Sequence, residues 1–346
     1  MSLAAGPRTG RRVARLGLVG LGALLVLGAL GLLWPQPLPR QPSGHPAATG
    51  EDVRGYLARQ LARSHQEGVL PGNEERLVQR GPGRAPVVIL FVHGFGASRA
   101  EGEGGVEPLA AALGASVYYT RLPGHGGELT AHAAARAEQY FERMEEDFHH
   151  LRELGDKIVL IGSSTGALLC TWLAARHPDD VAALVLASPL FDFADPMSFL
   201  LSRRLGMPLI ESLYGEYRDA SWKSDPEQRK QAGYEAHWLT RQRFRALLTL
   251  DGLRRTIATD EVLSAVRAPV LMLYHYADAA HKDTVVSVPA MRRAFSRMNG
   301  GSPHPLSREV AIADGNHILL SAYVRTDKER ILSESLGFLR AVLAAR

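Results

Sequence analysis

Along the body of the chain, short apolar runs alternate with longer segments whose apolar positions return every three or four residues. The runs Pro86–His93, Ser116–Arg121, Asp156–Gly162, Val181–Ser188, Ala268–His275 and Arg308–Asp314 are short and rich in Val, Ile, Leu and Tyr. Runs of this kind are the signature of strands buried on both faces. Between and around them, Asp52–Gln66, Val106–Leu113, Ala134–Leu154, Thr165–His177, Pro289–Met298 and Lys328–Ala345 carry helical patterning. Ala134–Leu154 contains neither Pro nor Gly, Pro178 stops the segment that precedes it, and Pro289 stands where a first helical turn tolerates proline. Strands and helices in alternation predict the α/β class, with a mostly parallel sheet flanked by helices.

Two stretches depart from the alternation. Leu190–Arg267, 78 residues, has no clear buried strand and is rich in Arg, Trp and Tyr, with helical patterning as in His237–Leu250. It predicts a helical cap inserted between the fourth and fifth strands. Its aromatics Phe191, Phe193, Phe199, Tyr214, Trp222 and Trp238 are expected to pack a small helical core, a subset of them lining an apolar pocket. The second departure is Leu16–Trp34, 19 residues without a charge. As a helix it would extend about 28 Å, close to the thickness of a bilayer's hydrocarbon core. Arg8, Arg11, Arg12 and Arg15 precede it and Trp34 closes it. The positive-inside rule then keeps the N-terminus cytoplasmic and exports the body to the periplasmic or extracellular side. A cleaved signal peptide is the alternative, but its apolar region is usually about 7–15 residues and ends at a small-residue site. Here Trp34-Pro35-Gln36-Pro37 follows. A buried soluble helix is the third option. Five prolines make residues 35–50 an extended stalk. The expected organisation is a basic segment (1–15), a transmembrane signal anchor (16–34), the stalk (35–50), an α/β core in two parts (51–189 and 268–346) and the cap (190–267).

Composition narrows the classes further. With 46% hydrophobic and 22% charged residues, a chain of 346 residues can bury a sizeable core. Disorder, collagen and disulfide scaffolds are excluded. The single cysteine, Cys170, permits no intrachain disulfide and, beside Leu168 and Leu169, is expected in the core. A formal charge of +4 would suit a nucleic-acid partner if it lay on the body. It does not: residues 1–50 hold five arginines and no Lys, Asp or Glu, which leaves −1 for residues 51–346. No nucleic acid is expected as partner. No H-E-x-x-H or CxxC pattern occurs, so no zinc site is expected. His149–His150 lies on a polar helix and is expected to be solvated.

The chemistry concentrates at strand ends. Gly162-Ser163-Ser164-Thr165-Gly166 matches G-x-S-x-G, a weak pattern alone. Its context is strong, because it closes the strand Asp156–Gly162 and opens the helix Thr165–His177, the strand–turn–helix of a nucleophile elbow. The register selects Ser164 and leaves Ser163 at the x position. An Asp there would suggest epoxide or haloalkane hydrolysis; a serine implies an acyl-enzyme. His93-Gly94-Phe95-Gly96 ends the first apolar strand, Leu122-Pro123-Gly124-His125-Gly126 follows the second, and Asp314-Gly315-Asn316-His317 follows the last.

On these motifs the chain resembles, over about residues 75–346, the α/β-hydrolase family, in particular its capped carboxylesterase and monoacylglycerol-lipase-like branch. The resemblance implies an oxyanion hole made by the backbone N–H groups of Phe95 and Thr165. It implies His317 as the base, ahead of His304, which precedes the last strand between two prolines. It places the orienting acid in a D-x-V-V-like segment after the fifth strand, which Asp283-Thr284-Val285-Val286 fits; Asp278, nearer the strand end, is the alternative acid. His125 is expected to be structural. The implied activity is that of a serine hydrolase cleaving small-molecule or lipid esters, acylglycerols among them, with no cofactor and no metal. A thioesterase, a proline-iminopeptidase-like peptidase or an acyltransferase would use the same residues. An inactive hydrolase fold used for binding is the alternative of another class.

Overall fold

The computed structural model describes residues 28, 31–44, 50–81, 83–219 and 229–345. Its centre is a sheet of seven strands: β1 (Arg76–Val78), β2 (Ala85–Val92), β3 (Ser116–Tyr119), β4 (Gly155–Ser163), β5 (Val181–Ala187), β8 (Val270–His275) and β9 (Arg308–Ile312). Two further strands, β6 (Tyr217–Asp219) and β7 (Arg241–Arg243), pair only with each other. The sheet order is β1-β3-β2-β4-β5-β8-β9, parallel throughout except for β1 at the edge. The helices are α1 (Val53–Gln66), α2 (Ala100–Leu113), α3 (Leu129–Ala134), α4 (Ala137–Leu151), α5 (Thr165–Arg176), α6 (Gly206–Tyr214), α7 (Ala246–Ile257), α8 (Asp260–Ala265), α9 (Val288–Phe295) and α10 (Lys328–Ala345).

The continuous apolar runs follow from burial on both faces. In β2, Val88, Leu90 and Val92 join the core beneath α4 and α5, while Val87, Ile89 and Phe91 join the core beneath α2 and α10. Alternate residues of β4 divide in the same way, Ile158 and Leu160 against Val159 and Ile161. Truncating such a side chain, Ile161→Ala for instance, costs about 2–5 kcal/mol. The order of strands also positions the site. From β2 the chain turns to β3 on one side of the sheet, and from β4 it turns to β5 on the other. The crevice at a reversal of this kind, beyond the C-terminal ends of β2 and β4, is where open α/β sheets bind ligands. The His93 loop and Ser164 lie at those two ends.

Several expectations are corrected by the structure. The helix expected over Ala134–Leu154 is present as α4 but is three residues shorter at each end, since Ala134 closes the short helix α3 and the Gln139 side chain accepts the Arg136 N–H at 2.8 Å where α4 starts. That bond gives the freed amide a partner and starts a new helix. His150 is buried, not solvated, its ring stacked on Tyr56 at 4.2 Å beneath α1. The cap is not wholly helical. Arg241–Arg243, inside the run expected to be helical, pairs as β7 with β6. The Arg241 and Arg243 guanidiniums flank the Tyr217 ring at 4.4 and 5.3 Å, and Gln242 turns inward.

Residues 35–44 of the expected proline-rich stalk are docked on the rest of the molecule. Gln36 N–H donates to Ser202 O at 2.7 Å, and Arg255 reaches Gln36 O at 3.0 Å. Trp172 Nε1 donates to Gln41 Oε1 at 2.7 Å. Most of the expected membrane span Leu16–Trp34 lies outside the described residues. Among the described residues no helix is long and apolar enough to cross a membrane.

Candidate active site

Ser164 is the residue between β4 and α5, and it holds φ 52°. That is the left-handed region, which costs a non-glycine residue about 1–3 kcal/mol and needs surrounding structure to hold it. Here the Ser164 N–H donates to Ala187 O at 2.8 Å, and Ser164 O accepts from Leu168 at 3.1 Å and Leu190 at 3.2 Å. The turn also presses against β2. A Cβ on Gly166 would lie 1.9 Å from Val92 O, so only glycine lets the elbow close onto that strand end.

His317 lies beyond β9, and its Nδ1 is 2.9 Å from Asp283 Oδ2. The other Asp283 oxygen accepts two backbone N–H groups, Val285 at 2.8 Å and Val286 at 3.0 Å, and the Asp283 N–H ties back to His275 O at the end of β8. The carboxylate is thus fixed in one orientation. Both residues are buried. Burial alone would depress the imidazole pKa, but the charge and hydrogen bond of Asp283, with a contribution from Glu101, outweigh it and hold His317 above its ordinary value. Asp278, the other candidate acid, is exposed and hydrogen-bonds His281 instead. His304 turns away, its Nδ1 accepting the Leu306 N–H at 3.1 Å.

The loop after β2 is tied from behind. His93 Nε2 accepts the Leu122 N–H at 3.1 Å, so Nδ1 carries the proton and meets Gly94 O at 2.8 Å. The buried ring joins the His93 loop to the Leu122–Gly126 turn, and burial lowers its pKa to about 4, which keeps it neutral. His125, also buried, spends Nδ1 on Pro123 O at 2.9 Å. The amides of Phe95 and Thr165 have no hydrogen-bond partner among the described residues.

One residue at the site escaped sequence reasoning. Glu101, near the start of α2, is 2% exposed. Its Oε2 accepts the Gly94 N–H at 2.5 Å and its Oε1 the Ser163 hydroxyl at 2.8 Å. It therefore joins the loop after β2 to the turn after β4, directly behind Phe95 and Ser164. Burial raises its pKa, against the two donors and the nearby His317, which lower it. Ser163, at the unassigned position of the elbow, thereby has a partner and a structural role.

Ser164, His317, Phe95 and Glu101 line one cavity of about 390 Å³. Its roof is the cap: Leu201, Ile210, Leu213, Phe244, Leu247 and Leu250 face it. Of the aromatics in the insertion, Phe193, Tyr214 and Trp238 line the cavity, Phe191 is in the core and Phe199 is exposed. Trp222 lies outside the described residues. Cys170 is buried and free, and burial raises its thiol pKa, which makes it a poor nucleophile. No group of three or more His, Cys, Asp or Glu suited to a metal ion occurs among the described residues.

A doubly covered parallel sheet with a strained serine at the strand–helix turn, a histidine–aspartate pair beyond the last strands and a cap over the crevice defines an α/β-hydrolase. The family model described as serine aminopeptidase, S33, matches residues 83–303, and the chain belongs to that family. A thermostable monoacylglycerol lipase of Bacillus sp. (strain H-257) is 32% identical over 119 residues, 34% of this chain and 44% of that protein. Protein ABHD8 of Bos taurus is 30% identical over 143 residues, 41% of this chain and 32% of that protein. The chain thus spans under half the length of these curated relatives. Among solved structures, one from a study of LipS and LipT, two metagenome-derived lipolytic enzymes, superposes with a TM-score of 0.59 at 22% identity over 79% of this chain and 99% of that one. A soluble variant of the monoglyceride lipase of Saccharomyces cerevisiae gives 0.55 at 12% identity over 79% and 90%. At these identities the superpositions speak for the fold.

Proposed function

We propose that the protein is a serine hydrolase of carboxylic esters, lipid and acylglycerol esters among them, working through an acyl-enzyme on Ser164. The observation that carries this is the Asp283–His317 pair opening into the same apolar cavity as the strained Ser164. His317 takes the Ser164 proton as Oγ attacks the ester carbonyl, and Asp283 holds the imidazole tautomer and stabilises the imidazolium. The amides of Phe95 and Thr165, unspent on other acceptors, receive the oxyanion, each worth about 3 kcal/mol. His317 returns the proton to the leaving alkoxide, and water, activated by the same histidine, releases the acid.

The family description as aminopeptidase raises peptide cleavage as a second reading. An aminopeptidase needs a carboxylate free to receive the substrate's ammonium group. Of the acids that line the cavity, Glu101 is spent on Gly94 and Ser163, while Asp195 caps Met197 at 2.9 Å. The apolar roof suits an acyl chain better. Labelling of the full chain by a fluorophosphonate probe, abolished in Ser164→Ala, tests the serine hydrolase; absence of labelling in a folded sample overturns it. A screen of p-nitrophenyl esters against acylglycerols and aminoacyl amides separates ester from peptide cleavage.

The leader supports a membrane-held, exported enzyme, with the uncharged run Leu16–Trp34 as signal anchor behind four arginines. Resistance of the full chain to alkaline carbonate extraction tests this part by itself.

A further inference from the structure

The cavity over Ser164 holds one cation that forms no ion pair with any acid of the described residues. Among the described residues that line it, Arg218 is the only lysine or arginine. Arg218 is the middle residue of β6, and directly opposite it on β7 stands Gln242. Opposite residues of an antiparallel pair share a face, with Cα atoms about 4.5–5.5 Å apart. Both of these line the cavity, while Arg241, one place along β7, is exposed. Gln242 is buried, and a Cβ on Gly96 would fall 2.2 Å from its Nε2. This face of the strand pair therefore rests on the loop that carries Phe95. Arg218 itself is half-buried. The carboxylate whose charge reaches it is Asp219, its neighbour along the strand, which the alternation of the strand turns to the other face.

The other charged groups of the cavity already have work. Glu101 accepts from Gly94 and Ser163, Asp195 accepts the Met197 N–H, and His317 is joined to Asp283. His132 of α3, buried with its ring 4.4 Å from that of Phe95, also feels the charge of Arg218. Burial, with His93 and Arg218, lowers its pKa to about 4, so it stays neutral. Burial lowers the pKa of Arg218 as well, the direction for a cation drawn from water, though a guanidinium remains charged. Keeping such a charge among apolar walls is costly until an anion joins it. A planar guanidinium meets a carboxylate or phosphate through two parallel N–H···O bonds. We infer that Arg218 is an anion subsite of this cavity, and that the enzyme favours esters carrying a carboxylate or phosphate group, monoesters of dicarboxylic acids among them, over neutral esters of the same length. The inference deepens the ester-hydrolase reading and rests on it for the reaction, but not for the binding.

The test compares kcat/KM of the full chain on four phenyl esters. Phenyl heptanoate is neutral, monophenyl adipate carries a carboxylate on the acyl chain, and 4-(heptanoyloxy)benzoate and 4-(heptanoyloxy)phenyl phosphate carry the anion on the leaving group. Each anionic-to-neutral ratio is compared between wild type and Arg218→Gln, so the intrinsic reactivity of the esters cancels. At least one ratio is expected to fall tenfold or more in Arg218→Gln, the scale of a hydrogen bond to a charged group, and to be partly restored in Arg218→Lys. Which ratio falls tells the half of the substrate that carries the anion, and whether that anion is a carboxylate or a phosphate. Arg241→Gln removes a neighbouring charge that lies outside the cavity, and its ratios are expected to stay at the wild-type values. Ratios that do not move in Arg218→Gln overturn the inference. So does an equal fall in Arg218→Gln and Arg241→Gln, which would mean a diffuse field, or an equal loss on neutral and anionic esters, which would mean that Arg218 only supports the cap.

A second arm reads binding without turnover. Calorimetry on Ser164→Ala, with and without the Arg218 substitution, is expected to show the affinity for the preferred anionic ester falling about tenfold when the guanidinium is removed, while that for phenyl heptanoate does not fall with it. Equal changes for the two ligands, or none, overturn the subsite. Arg218→Met, an apolar side chain of similar length, replaces Arg218→Gln in both arms if the glutamine variant fails to melt cooperatively. Failure of the wild type to hydrolyse any ester overturns the proposed activity instead, and the calorimetry still decides the subsite.

Discussion

The floor and the roof of the cavity are held by different kinds of contact. On the floor, directional bonds fix each group. Ser164 N–H meets Ala187 O, both Asp283 oxygens are occupied, Glu101 bridges two loops, and Gly166 leaves no room for a Cβ. The roof consists of a 3-10 turn at Pro196–Ser202, the nine residues of α6, a pair of three-residue strands and α7, and it meets the cavity mainly through Leu, Ile and Phe. Acyl transfer needs reacting atoms placed to a fraction of an ångström, which hydrogen bonds with fixed angles supply. Holding an acyl chain needs volume and dryness, which apolar side chains supply with more tolerance of exchange. Substitutions on the floor are therefore expected to cost orders of magnitude in rate, and those on the roof to change which substrate is preferred.

That contrast can be broken at four points. Ser164→Ala is expected to lower kcat by about 10⁵–10⁶-fold, the scale for loss of a nucleophile, with an unchanged thermal melt. Next, Asp283→Asn should cost about 10⁴-fold through the lost imidazole tautomer, whereas Asp278→Asn, on an exposed loop, leaves kcat/KM near its starting value. A large loss in Asp278→Asn would reassign the acid.

Glu101→Gln comes third, at about tenfold in kcat, since the amide oxygen can still accept the Gly94 N–H while charge assistance is lost. It also has a pH signature. His317 must be neutral to act as base, and its raised pKa puts the acid limb of kcat/KM above the ordinary imidazole value of about 6.5. Removing the Glu101 charge lowers the His317 pKa, so the limb should move to lower pH. A limb that stays in place would show that Glu101 only packs. The smallest effect is expected on the roof. Leu250→Ala should lower kcat/KM for long acyl esters several-fold to about tenfold, the value of a few methylenes, and leave acetate esters unaffected. If Leu250→Ala slowed acetate esters as much, the roof would share in the chemistry.

Legibility in the sequence followed the same division. Five of the six strands read from the sequence stand out because burial on both faces makes them mostly apolar, the edge strand β9 burying only Val310 and Ile312, and Ser164 could be read because its motif sits between a strand and a helix. The strands β1, β6 and β7 have three residues each, too few to show a period. The start of α4 at Ala137, three residues later than the pattern implies, depends on one Gln139 side chain bonding a backbone amide, with no proline or glycine to announce it. Asp278 and Asp283 both follow the fifth apolar run, and what separates them is the bond from the Asp283 N–H to His275 O, a feature of loop closure. Glu101 stands in a run of small and acidic residues that reads as solvent-exposed, and only the approach of Gly94 and Ser163 buries it. The shape of the roof depends on how the cap lies over the sheet, which no periodicity encodes.

The docked proline segment has a practical consequence for anyone who shortens this protein. Removing everything before residue 50 looks harmless, since it deletes a leader and what reads as a spacer. It would also strip Trp172 Nε1 of its acceptor, free the Arg255 guanidinium from Gln36 O, and uncover the apolar surface that Leu32 shields. Because Gln36 holds the cap and Gln41 holds the body, the trimmed enzyme would lose a brace between its two parts. A soluble version should therefore be cut before Gly31, with Leu33 and Trp34 replaced by polar residues in place of deletion.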